Sequence, residues 1–135
     1  MNVWKESRQL ANELFRVILS NDNIKDYALK DQINRASGSI MDNIAEGFER
    51  QGNKEFRQFL TISRGSCGEV KSQLYRALDR KYISAEEFKN LMTRSQDISK
   101  MIYGFIKYLN SSDYKGSKYI KEPIEKYGSS ENGEL

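Results

Sequence analysis

The chain has 135 residues, of which 38% are hydrophobic and 30% charged, so its composition is that of one soluble globular domain. It has no histidine and one cysteine, which excludes disulfide frameworks, Cys/His zinc sites and every catalytic system that needs an imidazole. The net charge of +3 permits nucleic-acid binding but does not require it. One proline and nine glycines supply few of the turns of an all-β fold, so long helices are favoured.

Two further classes are disfavoured. No stretch approaches the roughly 18 apolar residues of a membrane span, and the first residues lack the pattern of a signal peptide, so we expect a cytoplasmic protein without a membrane partner. The sequence also offers no nucleophile–base pair. We therefore expect no enzymatic activity, no cofactor and no catalytic residues.

Two amphipathic helices are predicted in the first half of the chain. Apolar residues recur every three or four positions over residues 3 to 20, and the polar cluster Ser20-Asn21-Asp22-Asn23 ends this run. The same spacing resumes at Leu29 and continues to Phe48, where Gln51-Gly52-Asn53 breaks it.

Two more helices follow. Asn53 is predicted as the N-cap of a third helix that runs to about residue 80. Ser84 and Glu87 match a capping box, which begins a fourth helix ending near Asn110. Four amphipathic helices with short connections predict an all-α, antiparallel up-and-down bundle over residues 1–110. Residues 111–135 are predicted to form a mobile polar tail, or alternatively to dock in part on a neighbouring surface.

The fourth helix carries more apolar surface than a single stripe. Its apolar residues sweep an arc of roughly 220° at 100° per residue. They are Met92, Ile98, Met101, Ile102, Tyr103, Phe105, Ile106, Tyr108 and Leu109. A helix apolar over most of its circumference is normally buried on more than one side, so we expect a homo-oligomer. The alternative is that the tail covers the excess.

The third helix is basic. Between residues 50 and 81 there are eight basic and three acidic residues, a net charge of +5, whereas the rest of the chain carries −2. The candidates for phosphate contact are Arg50, Lys54, Arg57, Arg64 and Lys71. Beside them runs a seam of small residues, Thr61, Gly65, Gly68 and Ser72. This seam has three interpretations. The small residues permit the close approach of another backbone, or they leave room for phosphates. The third interpretation is a solvated basic face beside a tight contact between helices.

The second and third helices resemble a known family. The segments 31–40 (DQINRASGSI) and 43–50 (NIAEGFER), together with Glu55-Phe56, Phe59-Leu60, Gly65-Ser66, Glu69-Val70 and Gln73-Leu74, resemble the hallmark stretches of the bacterial proteins encoded in intervening sequences of 23S ribosomal RNA genes. The resemblance implies a four-helix bundle that assembles into a homopentamer. It extends to the accessory protein of diversity-generating retroelements, which implies RNA or DNA and a nucleic-acid-processing protein as partners, and no enzymatic activity.

The motif around Asn43 also has a physical interpretation. Asn43 and Glu46 lie at the edge of an apolar face, so we expect them to hydrogen-bond a neighbouring helix or connector through Arg35 or Ser39, while Gly47 allows a close approach. The alternative is an acidic metal site of Asp42, Glu46 and Glu49, which share one face. The single cysteine, Cys67, falls at a core position, where a buried inert thiol is expected.

These observations lead to two functional hypotheses. The first is a homo-oligomeric helical bundle that acts as a nucleic-acid or ribonucleoprotein accessory factor through its basic third helix. The second is a structural scaffold that recruits a protein partner and has no role in nucleic-acid binding.

Overall fold

The computed structural model describes residues 1–112 and consists of four helices in this range, with no strand. They are α1 (Asn2–Leu14), α2 (Tyr27–Glu49), α3 (Asn53–Asp79) and α4 (Ala85–Asn110). Contacts join α1 to α2, α2 to α3, α3 to α4 and α4 back to α1, which is the predicted antiparallel up-and-down bundle. The predicted tail lies outside the described residues.

The first predicted helix is helical throughout but not uniform. A π-helical turn, Phe15–Leu19, extends α1, and the amide of Ser20 donates to the carbonyl of Phe15 over 2.8 Å. Such a turn inserts one extra residue into the helical repeat. Val17 and Ile18 are both buried there, while Phe15 is largely exposed. The three-four spacing did not predict this change of pitch.

The start of α2 is joined to the connection between α3 and α4. Asp26 is the N-cap of α2 and accepts from the amide of Leu29 at 3.2 Å. The same carboxylate accepts from Arg80 at 2.7 Å and from the hydroxyl of Tyr82 at 3.0 Å. The backbone bond from Leu29, followed by the two side-chain bonds, holds the pKa of Asp26 below the ordinary aspartate value. A charged carboxylate at residue 26 therefore joins the start of α2 to the connection between α3 and α4 at one end of the bundle.

The prediction for the start of α3 was wrong by one residue. The N-cap is Gly52, with a φ of 101°, and Asn53 is the first helical residue. That φ lies in the left-handed region, which glycine adopts without a steric penalty. The side chain of Asn53 is buried rather than turned back to the helix end, and its Oδ1 has no hydrogen-bond partner among residues 1–112.

The connection between α3 and α4 contains two recognisable motifs. Lys81 has a φ of 63°, and the amides of Lys81 and Tyr82 donate to Leu78 and Ala77, which is the pattern of a Schellman motif with lysine in the usual glycine position. The predicted capping box is confirmed. The amide of Glu87 donates to Ser84 Oγ at 3.0 Å, and the amide of Ser84 donates to Glu87 Oε1 at 2.9 Å.

The apolar arc of α4 is largely covered inside the chain. Ile98, Ile102, Phe105 and Leu109 are almost fully buried, because α4 packs against α1 on one side and α3 on the other. Four members of the arc remain half-buried, namely Met101, Tyr103, Ile106 and Tyr108. Contact with two helices therefore accounts for most of the width of the arc.

Candidate nucleic-acid interface

The seam of small residues faces outward along α3. Thr61, Gly65 and Ser72 are exposed and Gly68 is half-buried; we call these four residues the small-residue strip. A Cβ atom added to Gly65 or Gly68 would meet no atom of the described chain within 4 Å. The predicted close approach of another backbone is therefore not made within residues 1–112, and the strip is an open path on the surface of α3.

The predicted row of basic residues turns gradually from the surface toward the core. Arg50 and Lys54 are exposed, whereas Arg57 and Arg64 are half-buried. Lys71 is only 2% exposed, so its assignment as a phosphate contact is corrected. The reason is geometric, because residues seven apart on a straight helix drift by about 20° per step. From Arg57 through Arg64 to Lys71 this drift turns the row toward the core.

Arg64 is held in place by α4. Its Nε donates to Ser99 Oγ at 3.2 Å, and its guanidinium carbon lies 4.4 Å from the centroid of the Tyr103 ring. The Lys107 ammonium lies 5.5 Å from the same centroid. Two cations therefore lie beside the ring of Tyr103 next to α3. Each contact of this kind contributes about 0.5–1 kcal/mol at an exposed site.

Arg50 lies at the opposite end of the row, just after α2. It pairs with Glu46 at 2.7 Å, and its guanidinium carbon lies 5.3 Å from the centroid of Phe59. Both members of the ion pair are about half exposed, and such pairs contribute little to stability. Arg50 can therefore exchange Glu46 for a phosphate at small cost.

A hydrogen-bond network of two serines and one asparagine joins α2 to α3. Asn43 donates to the carbonyl and hydroxyl of Ser39 at 2.8 and 2.9 Å, and Ser39 Oγ shares a hydrogen bond of 2.8 Å with Ser66 on α3. The prediction that Ser39 is the partner of Asn43 is confirmed, and Glu46 bonds the connector through Arg50. Arg35 is not part of this network, since it pairs with Asp31 at 2.9 Å.

Gly47 has the predicted close approach. A Cβ atom at this position would lie 2.7 Å from the Cβ of Phe59 and 3.0 Å from Cδ1 of Phe56. Real Cβ atoms do not come this close to other heavy atoms, so only glycine fits here without displacing α3. Gly47 therefore sets the distance between the C-terminal end of α2 and the N-terminal end of α3.

The acidic metal site, the alternative interpretation of this motif, is not formed within residues 1–112. Within residues 1–112 there is no group of three or more His, Cys, Asp or Glu side chains that could hold a metal ion, so Asp42, Glu46 and Glu49 do not converge. Cys67 is fully buried, and burial raises the pKa of its thiol to about 12. The predicted burial of Cys67 is confirmed, and the raised pKa disfavours the reactive thiolate.

A polar groove that sequence reasoning missed lies between α2 and α3. It encloses about 460 Å³ and is lined by Gln32, Arg35 and Ser39 from α2 and by Ser72, Gln73 and Arg76 from α3. On α2 these residues are spaced three and four apart, and on α3 Arg76 follows Ser72 by four positions and Gln73 by three, so each set lies on one side of its helix. The two helix faces that line the groove meet only in the folded bundle, so the sequence of either helix alone does not indicate the groove.

The described part of the chain contains no helix with both the length and the apolar character to cross a membrane. Comparison with curated proteins gives no match. The fold is similar to the crystal structure of a protein of unknown function from the S23 ribosomal protein family of Bacteroides thetaiotaomicron, with a TM-score of 0.70 and 24% identity over 78% of this chain and 98% of that one. The family model described as 23S rRNA-intervening sequence protein matches residues 1–104. Since this match covers the four helices almost to the end of α4, the chain belongs to the family of 23S rRNA-intervening sequence proteins.

Proposed function

We propose that the protein is a cytoplasmic, non-enzymatic accessory factor that binds the phosphate backbone of RNA or DNA through the exposed face of α3. The residues that contact phosphate are Lys54, Arg57 and Arg64 on α3, together with Arg50 in the preceding connection. Binding is tolerant of sequence and weakens steeply as salt rises, because cations that neutralise phosphates release condensed counterions.

The small-residue strip is the observation that carries this proposal. Glycines in the interior of a helix cost about 1 kcal/mol each relative to alanine, and no packing within residues 1–112 requires Gly65 or Gly68. Their absence of side chains leaves a path along α3 with Lys54 on it and Arg57 and Arg64 on its α4 side. A phosphate backbone is thin and charged, and such a path beside two guanidinium groups, of which that of Arg64 is held by α4, suits it.

The names of the related proteins connect them with ribosomal RNA genes or ribosomes and state no ligand. The family is described by its connection with 23S rRNA, and the solved neighbour is assigned to a ribosomal protein family. RNA is therefore the first nucleic acid to test. A nucleic-acid-processing protein is the corresponding protein partner.

The proposal includes assembly into a homo-oligomer of five chains, as the family resemblance implies. Support comes from Met101, Ile106 and Tyr108 on α4, which remain half-buried in the single chain. Assembly repeats the α3 face around a ring and multiplies a modest charge per chain. Sedimentation of the full-length protein checks this, with five times the chain mass of 15.7 kDa expected and a single-chain particle contradicting it.

Salt-dependent binding to a short RNA tests the function. The wild-type protein is expected to bind a fluorescently labelled single strand at about 50 mM salt and to lose affinity as salt rises, with a slope of about 0.7 per phosphate contact. Arg57→Gln and Lys54→Gln should each lower the affinity and reduce this slope. Lys89→Gln is the matched control, because Lys89 is exposed on α4 away from the strip.

Two outcomes would contradict the proposal. The first is no binding to RNA or DNA at low salt. The second is binding that Lys89→Gln weakens as much as Arg57→Gln, which would show a general charge effect rather than a site. Recovery of one protein partner and no nucleic acid would instead favour the scaffold hypothesis.

A further inference from the structure

The polar groove between α2 and α3 has the size of a small-molecule site. Its volume of about 460 Å³ falls in the range of roughly 300–1,000 Å³ typical of such sites. The lining residues span seven positions on each helix, or about 10 Å along the helix axes. The side chain of Ala36 is small and buried among them, which leaves the space open.

The groove contains a buried acceptor without a donor. Gln73 lines it and is only 8% exposed, and its Oε1 has no hydrogen-bond partner among residues 1–112. A buried polar atom left unpaired is costly, and native structures contain few of them. The amide oxygen of Gln73 thus lies just behind the groove surface without a donor, and a ligand in the groove meets it when the side chain turns outward.

Two arginines flank the same space from opposite helices. Arg35 of α2 pairs with Asp31 at 2.9 Å, and Arg76 of α3 donates to Gln32 Oε1 at 2.9 Å. Both arrangements are exposed, so either guanidinium can turn to a ligand at little cost. A planar guanidinium binds phosphate through two parallel hydrogen bonds.

We infer that this groove holds one nucleotide unit, with an N–H of the base edge donating to Gln73 Oε1 and the phosphate lying between Arg35 and Arg76. A glutamine amide presents a donor and an acceptor side by side, which pairs with two neighbouring atoms of a base. Proteins read unpaired bases of single-stranded RNA in this way. The inference rests on the proposed function and deepens it.

Two neighbouring residues connect the groove to that function. Ser72 belongs both to the small-residue strip and to the wall of the groove, so a strand lying on the strip brings a base to the opening. Glu69 also lines the groove and is exposed. Its carboxylate can accept from a ribose hydroxyl and repels a second phosphate, which favours a single nucleotide of RNA over a diphosphate or DNA.

Binding of a labelled single-stranded RNA to three variants of the full chain tests the inference. Gln73→Leu should weaken binding about tenfold or more without changing the salt slope, because an uncharged pair to the base is lost. Arg76→Gln should lower both the affinity and the slope, the latter by about 0.7. Gln9→Leu is the matched control, since Gln9 is an exposed glutamine of α1 that lies outside both the groove and α3.

Two additional measurements make the outcome unambiguous. A thermal melt checks the fold of Gln73→Leu, which should be at least as stable as the wild type because the unpaired oxygen is gone. Calorimetry with adenosine monophosphate separates the two sources of the ligand. If the wild type binds adenosine monophosphate and Gln73→Leu does not, the groove accepts free nucleotides as well as RNA. If the wild type binds only the oligonucleotide, the groove accepts a nucleotide as part of a strand.

The failures are distinguishable. If both groove variants bind RNA with wild-type affinity while Lys54→Gln and Arg57→Gln still weaken binding, the nucleotide site in the groove is overturned. The proposed function is then unaffected. No RNA binding by the wild type overturns both. A change in the native mass of Gln73→Leu at unchanged RNA affinity shows that a second copy of the chain occupies the groove, and it also overturns the inference.

Discussion

Replacing the two glycines of the small-residue strip by alanine should stabilise the protein. Both residues lie inside α3, and an added methyl group at either meets no atom of the described chain within 4 Å. Each Gly→Ala change therefore recovers about 1 kcal/mol of helix propensity without a packing cost. The double variant Gly65→Ala/Gly68→Ala should gain about 2 kcal/mol in the free energy of unfolding, which corresponds to a rise in Tm of roughly 7–9 °C.

Urea denaturation of the wild type and the double variant measures this gain. Gly38→Ala is the matched control, because Gly38 is a helical glycine of α2 whose nearest neighbour for an added Cβ is a carboxylate oxygen of Asp42 at 4.0 Å. It should gain about 1 kcal/mol for the same reason. A gain in Gly38→Ala together with a loss in the double variant would refute the reasoning, because it would mean that another molecule covers the strip in the folded protein.

Four other changes give separate tests of the fold. Gly47→Ala should destabilise by about 1–2 kcal/mol, since the clash with Phe59 exceeds the recovered helix propensity, and equal stability in urea would contradict the close approach. Ser84→Ala should cost about 1 kcal/mol through loss of the N-cap, and an unchanged thermal melt would reject the cap. Lys81→Gly should stabilise by about 1 kcal/mol because glycine tolerates the positive φ, and a lower Tm would contradict this. The pKa of Asp26 is lowered in the folded state, so the charged carboxylate stabilises the fold above about pH 4, and this stabilisation is lost as the pH falls through the folded pKa. Asp26→Asn should therefore reduce the loss of stability that the wild type shows at acid pH. An unchanged loss of stability in the variant would contradict the role of this carboxylate.

The helices could be predicted because their signals are local. The three-four spacing of apolar residues located all four, and the capping box at Ser84 gave the start of α4 to the residue. The small size of Gly47 at the edge of an apolar face likewise indicated a close approach, for which the structure supplies α3 as the partner. In each case the responsible residues lie within a few positions of one another, so the chain alone contains the information.

The remaining features depend on geometry between distant residues. Asp26 meets Arg80 and Tyr82 only after the bundle has closed, and nothing near Asp26 in the sequence indicates them. Lys71 looked like the continuation of a basic row, yet helical drift over 14 residues from Arg57 buries it. The start of α3 was misplaced because Asn53 is a common N-cap residue, whereas the positive φ of Gly52 decides the helix start here.

The candidate interface was predictable in part for the same reasons. The small residues and the basic residues of α3 share a face, which the sequence shows directly. The groove that brings Gln73 between Arg35 and Arg76 needs the register of α2 against α3, which is set by contacts such as the hydrogen bond of 2.8 Å from Ser63 to the carbonyl of Ile40. The periodicity of apolar residues describes each helix separately and does not indicate how two helices are aligned along their axes.

Gentle purification of the full-length protein from cells, followed by its native mass and its ratio of absorbance at 260 and 280 nm, tests the account most directly. We expect a particle of several chains that carries nuclease-sensitive nucleic acid and releases it in about 1 M salt, where exposed charges are screened within about 3 Å. A particle of 15.7 kDa with the absorbance of protein alone would contradict both the assembly and the nucleic-acid interface.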